Sequence, residues 1–255
     1  MIKHIDHNKM GRGVHGWLDS HFHFSFAEYY NPANMSFGSL RVVNDDMVKP
    51  GTGFDTHPHR DMEIISYVVQ GELTHADSMG NSNTLGRGQV QYMTAGTGVL
   101  HSEHNFGRGM LRFLQIWIEP NQLGRAPSYG DFKFNWEDRV GRWMPIATGS
   151  AENPAPIRLH ADTNIYASVI SEGESLEFKI YPGRQAYLVL VEGKASIGRH
   201  KLDEKDALEA VEEDINITAD QGSSAHFLIL EMKRSPERER DRYAEEEEEL
   251  ELFRG

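Results

Sequence analysis

Residues 51 to 72 read "GTGFDTHPHRDMEIISYVVQGE": a glycine, two histidines one residue apart, a glutamate, then an apolar run that stops at a glycine. In an extended strand successive side chains point to opposite faces, so His57 and His59 share a face and can converge on one point. The pair alone decides little, because thirteen histidines in 255 residues give about 0.7 such pairs by chance. The run after Glu63 decides more. "EIISYVVQG" is rich in β-branched and aromatic residues and closes on Gly71, the signature of a strand entering a turn.

The same pattern continues outward from Phe37 to Pro120. "SLRVVND", "GQVQYMTAG" and "LRFLQIWIEP" are further strands, separated by Gly, Asn and Asp, and no helical stripe of comparable length competes with them. From Glu119 to Ile157 the alternation lapses into Pro- and Gly-punctuated sequence with scattered aromatics, which marks a connector. Strands then resume in "NIYASVIS", "SLEFKIYPG", "QAYLVLVEGKASIG" and "HFLILEMK". "AYLVLVEGKASI" echoes "EIISYVVQGELTH", and "AHFLILEM" echoes "LRFLQIWIEP", so the chain reads as a degenerate duplication of an all-β unit. The expected organisation is a unit over 1–145, a second over 146–234 and a charged tail over 235–255. Where the first half has "FDTHPHRDME" the second has "EFKIYPGRQ", so any histidine chemistry belongs to the first unit.

Composition narrows the function classes. With 38% hydrophobic and 25% charged residues the chain has a globular make-up, and no apolar run approaches the roughly 20 residues that span a bilayer. The N-terminus lacks the apolar core of a secretory signal, so the expected compartment is the cytoplasm. The absence of cysteine excludes disulfides, thiolate nucleophiles and zinc-thiolate sites, and leaves any metal to nitrogen and oxygen. A net charge of −13 opposes direct binding to a phosphate backbone. The tail carries much of that charge, with nine acidic residues and four arginines, and reads as a solvated helix or a disordered segment without a catalytic part.

A second pair completes a candidate metal site. "GTGVLHSEHN" supplies His101 and Glu103, again two residues apart, in a stretch that comes after a predicted strand. Three imidazoles and a carboxylate form a mixed set that suits Fe(II), Mn, Ni, Cu or Zn and leaves room for water or substrate. His21-Phe22-His23 has the same spacing without a glycine frame or a following glutamate, and reads as polar residues of a strand or edge. His75 and Asp77 either orient a ligand histidine from behind or decorate a strand. His104 should face away from Glu103 and be structural. The glycines of "TAGTGVLH" lack a strand-to-helix context, so a nucleotide loop is not expected.

Gly51, His57, His59 and Glu63 match the first cupin motif, G-x5-H-x-H-x3-E. Gly88, Gly96, His101 and Asn105 fit the second, with Thr94 in place of proline and two extra residues before His101. The segments "GWLDSHFHFSFAEYYNP", "LRVVNDD", "THPHRDMEIISYV" and "MTAGTGVLHSEHN" resemble the bacterial pirins, a branch of the bicupins, over nearly all of residues 10 to 235. The resemblance implies two jelly-roll-like β-barrels in one chain, with one divalent metal in the first, Fe(II) being the leading candidate. It implies His57, His59, His101 and Glu103 as ligands and puts Glu63, a ligand in many other cupins, behind them.

The resemblance implies two alternative functions. One is a metal-dependent dioxygenase that cleaves a flavonol such as quercetin with O2 and releases carbon monoxide, Glu103 taking the substrate hydroxyl proton. The other is a metal-containing regulatory protein that binds a transcription factor or a metabolic enzyme, its metal acting as a redox sensor. Two barrels already packed in one chain make a monomer the simplest expectation.

Overall fold

A computed structural model describes residues 1–234; the expectations for the tail at 235–255 lie outside the described residues. In chain order the strands of the first half are β1 Ile2–Ile5, β2 Gly11–Val14, β3 Leu18–Phe22, β4 Leu40–Val48, β5 Thr52–His59, β6 Glu63–Gln70, β7 Leu73–Asp77, β8 Ser82–Leu85, β9 Val90–Thr94, β10 Val99–Asn105, β11 Leu111–Ile118 and β12 Ser128–Phe132. Those of the second are β13 Met144–Thr148, β14 Ile157–Arg158, β15 Thr163–Ile170, β16 Ser175–Phe178, β17 Arg184–Glu192, β18 Ala195–Ile197, β19 His200–Leu202, β20 Ala207–Val211, β21 Ile215–Ala219 and β22 Ala225–Lys233. No helix among the described residues is long and apolar enough to cross a membrane.

The strands build two all-β cupin units, each from a seven-stranded and a four-stranded sheet. The first unit runs β12-β9-β6-β11-β4-β3-β2 and β5-β10-β7-β8; the second runs β1-β20-β17-β22-β15-β13-β14 and β16-β21-β18-β19. The duplication visible in the sequence is β6–β7 against β17–β18 and β11 against β22, equivalent positions at the centre of each fold. One strand crosses over: β1 pairs antiparallel with β20, Ile2 opposite Ala210 and Ile5 opposite Ala207, so the N-terminal strand completes the second sheet. The expected boundary at 145 falls inside β13, which pairs with β15 of the same sheet.

The near-continuous apolar runs of β6 and β17 arise because both faces of these strands are covered. On β6 and β11, Ile65, Tyr67, Leu114 and Ile116 face the second unit and join one core with Val189, Leu228 and Leu230. The alternate residues Val68 and Phe113 point into the first barrel, where they meet Leu73 and Leu85 of the smaller sheet. Burial of each such side chain is worth about 1.5–3 kcal/mol, so one strand serves the barrel and the interface at once. His23, just beyond β3, is buried at this interface with Nδ1 3.0 Å from the Tyr187 hydroxyl, while His21 lies beside Lys205. The His21–His23 pair is thus a feature of the contact between units, and not an edge.

The two barrel interiors differ in kind. The second is filled by Phe178, Leu188, Leu190, Ile217, Phe227 and Ile229. The first is apolar only toward the end formed by Val68, Leu73, Leu85 and Phe113. Elsewhere it buries Ser66, Gln91, Gln115 and Glu103 among its strands.

Two glycines hold the small sheet in place. A Cβ on Gly53 would come within 2.5 Å of the backbone of Glu103 and His104. Gly71 has φ +78°, and a Cβ there would meet the Met110 carbonyl at 2.5 Å. Both positions exclude larger residues for steric reasons.

Candidate metal centre

The site sits on the inward face of the small sheet, where β10 runs between β5 and β7. His101 is opposite His57 on one side and Asp77 on the other, and Glu103 is opposite His75. Between His101 and Glu103 the register with β5 shifts, so that Glu103 pairs with Phe54. This bulge inserts one extra residue in β5 and lets Phe54 and His57, three apart, both face inward. Phe54 packs on the barrel's apolar end, and His57 turns toward His101.

The three imidazoles form a near-equilateral group, with ring centroids 4.8 Å apart for His57 and His59, 4.5 Å for His57 and His101, and 4.8 Å for His59 and His101. One nitrogen from each lies within 4.8 Å of the others. His57 Nδ1 is 2.7 Å from the Asp55 carbonyl, so it carries the proton and leaves Nε2 as a lone pair. That Nε2 is 3.1 Å from His101 Nε2, and His59 Nε2 is buried with no hydrogen-bond partner. Burial, and then the neighbouring imidazoles, push His101 down to about 2 and His59 down to about 4, so both rings stay neutral. Converging, neutral, unsatisfied nitrogens are what a divalent cation requires.

A second cluster shows the contrast. Asp6, His7 and Asp206 also bring ligand atoms together, but Asp206 is already saturated. One oxygen accepts from the His7 backbone N–H and Nδ1 at 2.8 and 2.7 Å, the other from His4 Nε2 and the Asp203 backbone N–H at 2.8 and 3.0 Å. It is a clasp that holds β1 on the second unit.

Glu103 is fully buried, and its carboxylate lies outside the group formed by the three histidines. Oε1 accepts from Ser66 Oγ at 2.7 Å and Gln91 Nε2 at 2.5 Å, and Oε2 from Gln115 Nε2 at 2.6 Å. Burial raises its pKa, against the opposing hydrogen bonds from Ser66 and Gln115. Glu63, expected behind the ligands, has His160 as its partner. Its two oxygens face the backbone N–H and Nδ1 of His160 at 3.1 and 3.2 Å, tying β6 to the segment before β15. His75 and Asp77 line up behind His101, with His75 Nδ1 3.5 Å from His101 Nδ1 and His75 Nε2 3.1 Å from Asp77 Oδ2. His104 turns outward onto Asp55 and stacks on Phe106, as strand alternation requires.

Ser66, Gln91 and Gln115 were not singled out by sequence reasoning, although each is a lone polar residue inside a strand-like run. Trp117, whose ring meets His59 edge-on at 4.9 Å, was missed for the same reason: only the fold brings β11 beside β5. An open cleft of about 440 Å3, lined by Pro58, His59, Arg60, Ser78, Val99 and Leu100, adjoins the histidines from outside.

Fold and site together define a bicupin with one histidine-lined pocket in the first barrel. Comparison with known proteins narrows this further. Residues 4–118 match the family model described as Pirin, and residues 146–232 the one described as Quercetinase C-terminal cupin domain. The Escherichia coli K12 protein named quercetin 2,3-dioxygenase is 39% identical over 225 residues, covering 88% of this chain and 96% of that protein. A pirin-like protein of Caulobacter vibrioides is 40% identical over 231 residues, covering 91% and 99%. The crystal structure of bacterial pirin YhhW from E. coli in complex with nickel(II) superposes with a TM-score of 0.85 at 36% identity, over 92% of this chain and 100% of that one. The chain belongs to the pirin family and is a dioxygenase-like enzyme by that kinship.

Proposed function

We propose that this protein is a divalent-metal dioxygenase that opens the central ring of a flavonol such as quercetin with O2 and releases carbon monoxide. The observation that carries the reading is the convergence of His57, His59 and His101, one ring nitrogen of each within 4.8 Å of the others and His59 Nε2 buried without a partner. Its kinship with a protein named quercetin 2,3-dioxygenase and with a nickel-bound pirin supports both substrate class and metal. Fe(II) and Ni(II) are the leading ions, since an N/O donor set accepts either.

His57, His59 and His101 would hold the ion, and Glu103, whose carboxylate lies outside the group of their nitrogens, would be its oxygen ligand. Oε1 already accepts two hydrogen bonds, whereas Oε2 accepts one, so Oε2 is the oxygen with a lone pair to give. The ion supplies Lewis acidity that lowers the pKa of a bound flavonol hydroxyl. A bound carboxylate is not free to act as a base, so Glu103 would receive that proton only with its bond to the ion loosened; burial favours its protonated form, and Ser66, Gln91 and Gln115 keep the side chain in position. The cleft beside His59 admits a flat substrate past Pro58, Val99 and Leu100, with Arg60 on its rim for a phenolate.

The test is carbon monoxide release from quercetin and O2 by protein loaded with Fe(II), Ni(II) or Cu(II), with a His57→Ala, His59→Ala double variant as control. Release by the wild type and none by the variant supports ring cleavage at this site. No release from any loaded form removes flavonol cleavage as the function.

A further inference from the structure

We infer that Asp77 acts through His75 to fix the tautomer of His101, leaving the His101 Nε2 lone pair free for a metal, so that Asp77 and His75 are positioning residues of the site. The inference rests on the metal-binding reading of the three histidines for its purpose, but the hydrogen-bond chain itself stands in the metal-free protein.

The chain begins at the β7–β8 turn. Asp77 Oδ1 accepts from the backbone N–H groups of Met79 and Asn81 at 2.9 and 3.1 Å, and Asn81 Nδ2 reaches both oxygens at 3.1 and 2.9 Å. An ionised carboxylate is acceptor-only, so the 3.1 Å contact to His75 Nε2 requires the proton to be on that nitrogen. A neutral imidazole carries one proton, which makes His75 Nδ1 an acceptor. His101 Nδ1, 3.5 Å away, is then the donor, and His101 Nε2 is left as a lone pair that points at His57. With one proton on His75 each step follows from the one before, because the side chains of both Asp77 and His75 are wholly shielded from water and have no competing solvent partner.

The geometry of the ring is held as well. His75 stacks on Tyr129 of β12 with centroids 4.4 Å apart and planes 12° from parallel. The ladder puts Asp77 opposite His101 and His75 opposite Glu103, so all four side chains face inward from adjacent strands. Partners of this kind behind a ligand histidine set ring orientation and basicity, and their loss costs about 10- to 100-fold in metal affinity.

The test uses the full chain, stripped of metal and labelled with 15N at histidine. Long-range 1H–15N correlation spectra of the wild type should show His75 as the Nε2–H tautomer and His101 as Nδ1–H; the reverse assignment at His101 overturns the inference. Asp77→Asn keeps an acceptor for the turn and can present an amide N–H to His75. It should flip His75 to Nδ1–H, drive His101 to Nε2–H and weaken Ni(II) binding, measured by chelator competition, by about 10- to 100-fold. A folded Asp77→Asn protein with unchanged tautomers and unchanged Ni(II) affinity also overturns it. If that variant does not fold, the wild-type spectrum decides alone. A wild type that shows the stated tautomers yet binds no Ni(II) would remove the metal reading and leave the hydrogen-bond chain intact.

Discussion

The Nε2 atoms of His57 and His101 stand 3.1 Å apart across the β5–β10 ladder, although the proton of each ring is committed to the other nitrogen, on the Asp55 carbonyl and toward His75. Two facing lone pairs repel, and a cation between them turns that repulsion into attraction. Divalent metal should therefore raise the melting temperature. At a free-ion concentration 100 times Kd the gain is about 2.7 kcal/mol. Differential scanning calorimetry with Ni(II), then with excess chelator, checks this, and His101→Ala should abolish the metal-dependent shift.

Glu103→Gln separates ligand from scaffold. Glutamine has one acceptor oxygen, so its amide N–H must confront one of the donors from Ser66, Gln91 or Gln115. A buried polar group left unpaired costs about 1–3 kcal/mol. The variant should melt lower and, with metal retained by the three histidines, turn quercetin over at least about tenfold more slowly, as expected for loss of a proton acceptor. Carbon monoxide release normalised to bound metal is the readout, and undiminished turnover would sink the proton-accepting role.

Asp46 sits inside the first barrel with Ser20 as its hydrogen-bond donor, and burial, followed by the nearby Asp45 and Glu103, outweighs that bond and pushes it up to about 7. Between pH 4 and 7 the native state keeps a proton that the unfolded chain releases. Stability from this group therefore falls as pH rises through that window, by up to about 4 kcal/mol. Asp46→Asn should remove the penalty and be more stable than wild type at pH 7 but not at pH 4. Urea unfolding at both values checks the sign.

His23 has the opposite dependence. Burial at the interface brings it down to about 4, with Asp45 and Asp206 pulling up and His21 and Lys205 pulling down. The native ring stays neutral while the unfolded one takes a proton, so stability is lost as pH falls from about 6.5 to 4, by up to about 3 kcal/mol. His23→Phe gives up the Tyr187 hydrogen bond, at a cost of about 1 kcal/mol at pH 7, and should show a shallower acid slope. Equal slopes in wild type and variant would assign the acid sensitivity elsewhere.

Local chemistry was enough to read much of this molecule from its sequence. Alternation and β-branched content marked β4, β6, β9 and β11, and the echo of "EIISYVVQGELTH" in "AYLVLVEGKASI" announced two copies of one fold. The spacing of two put His57 with His59, and His101 with Glu103, because the pleat repeats every second residue. Pairings between distant strands carry no such local mark. The crossing of β1 to β20, the bulge that aims His57, the commitment of Glu63 to His160 and the cradle that Ser66, Gln91 and Gln115 form around Glu103 each join residues 12 to about 200 positions apart. Their partners are chosen by which sheet faces meet when the units pack and by which buried polar groups must then be satisfied, and those conditions exist only in the folded chain.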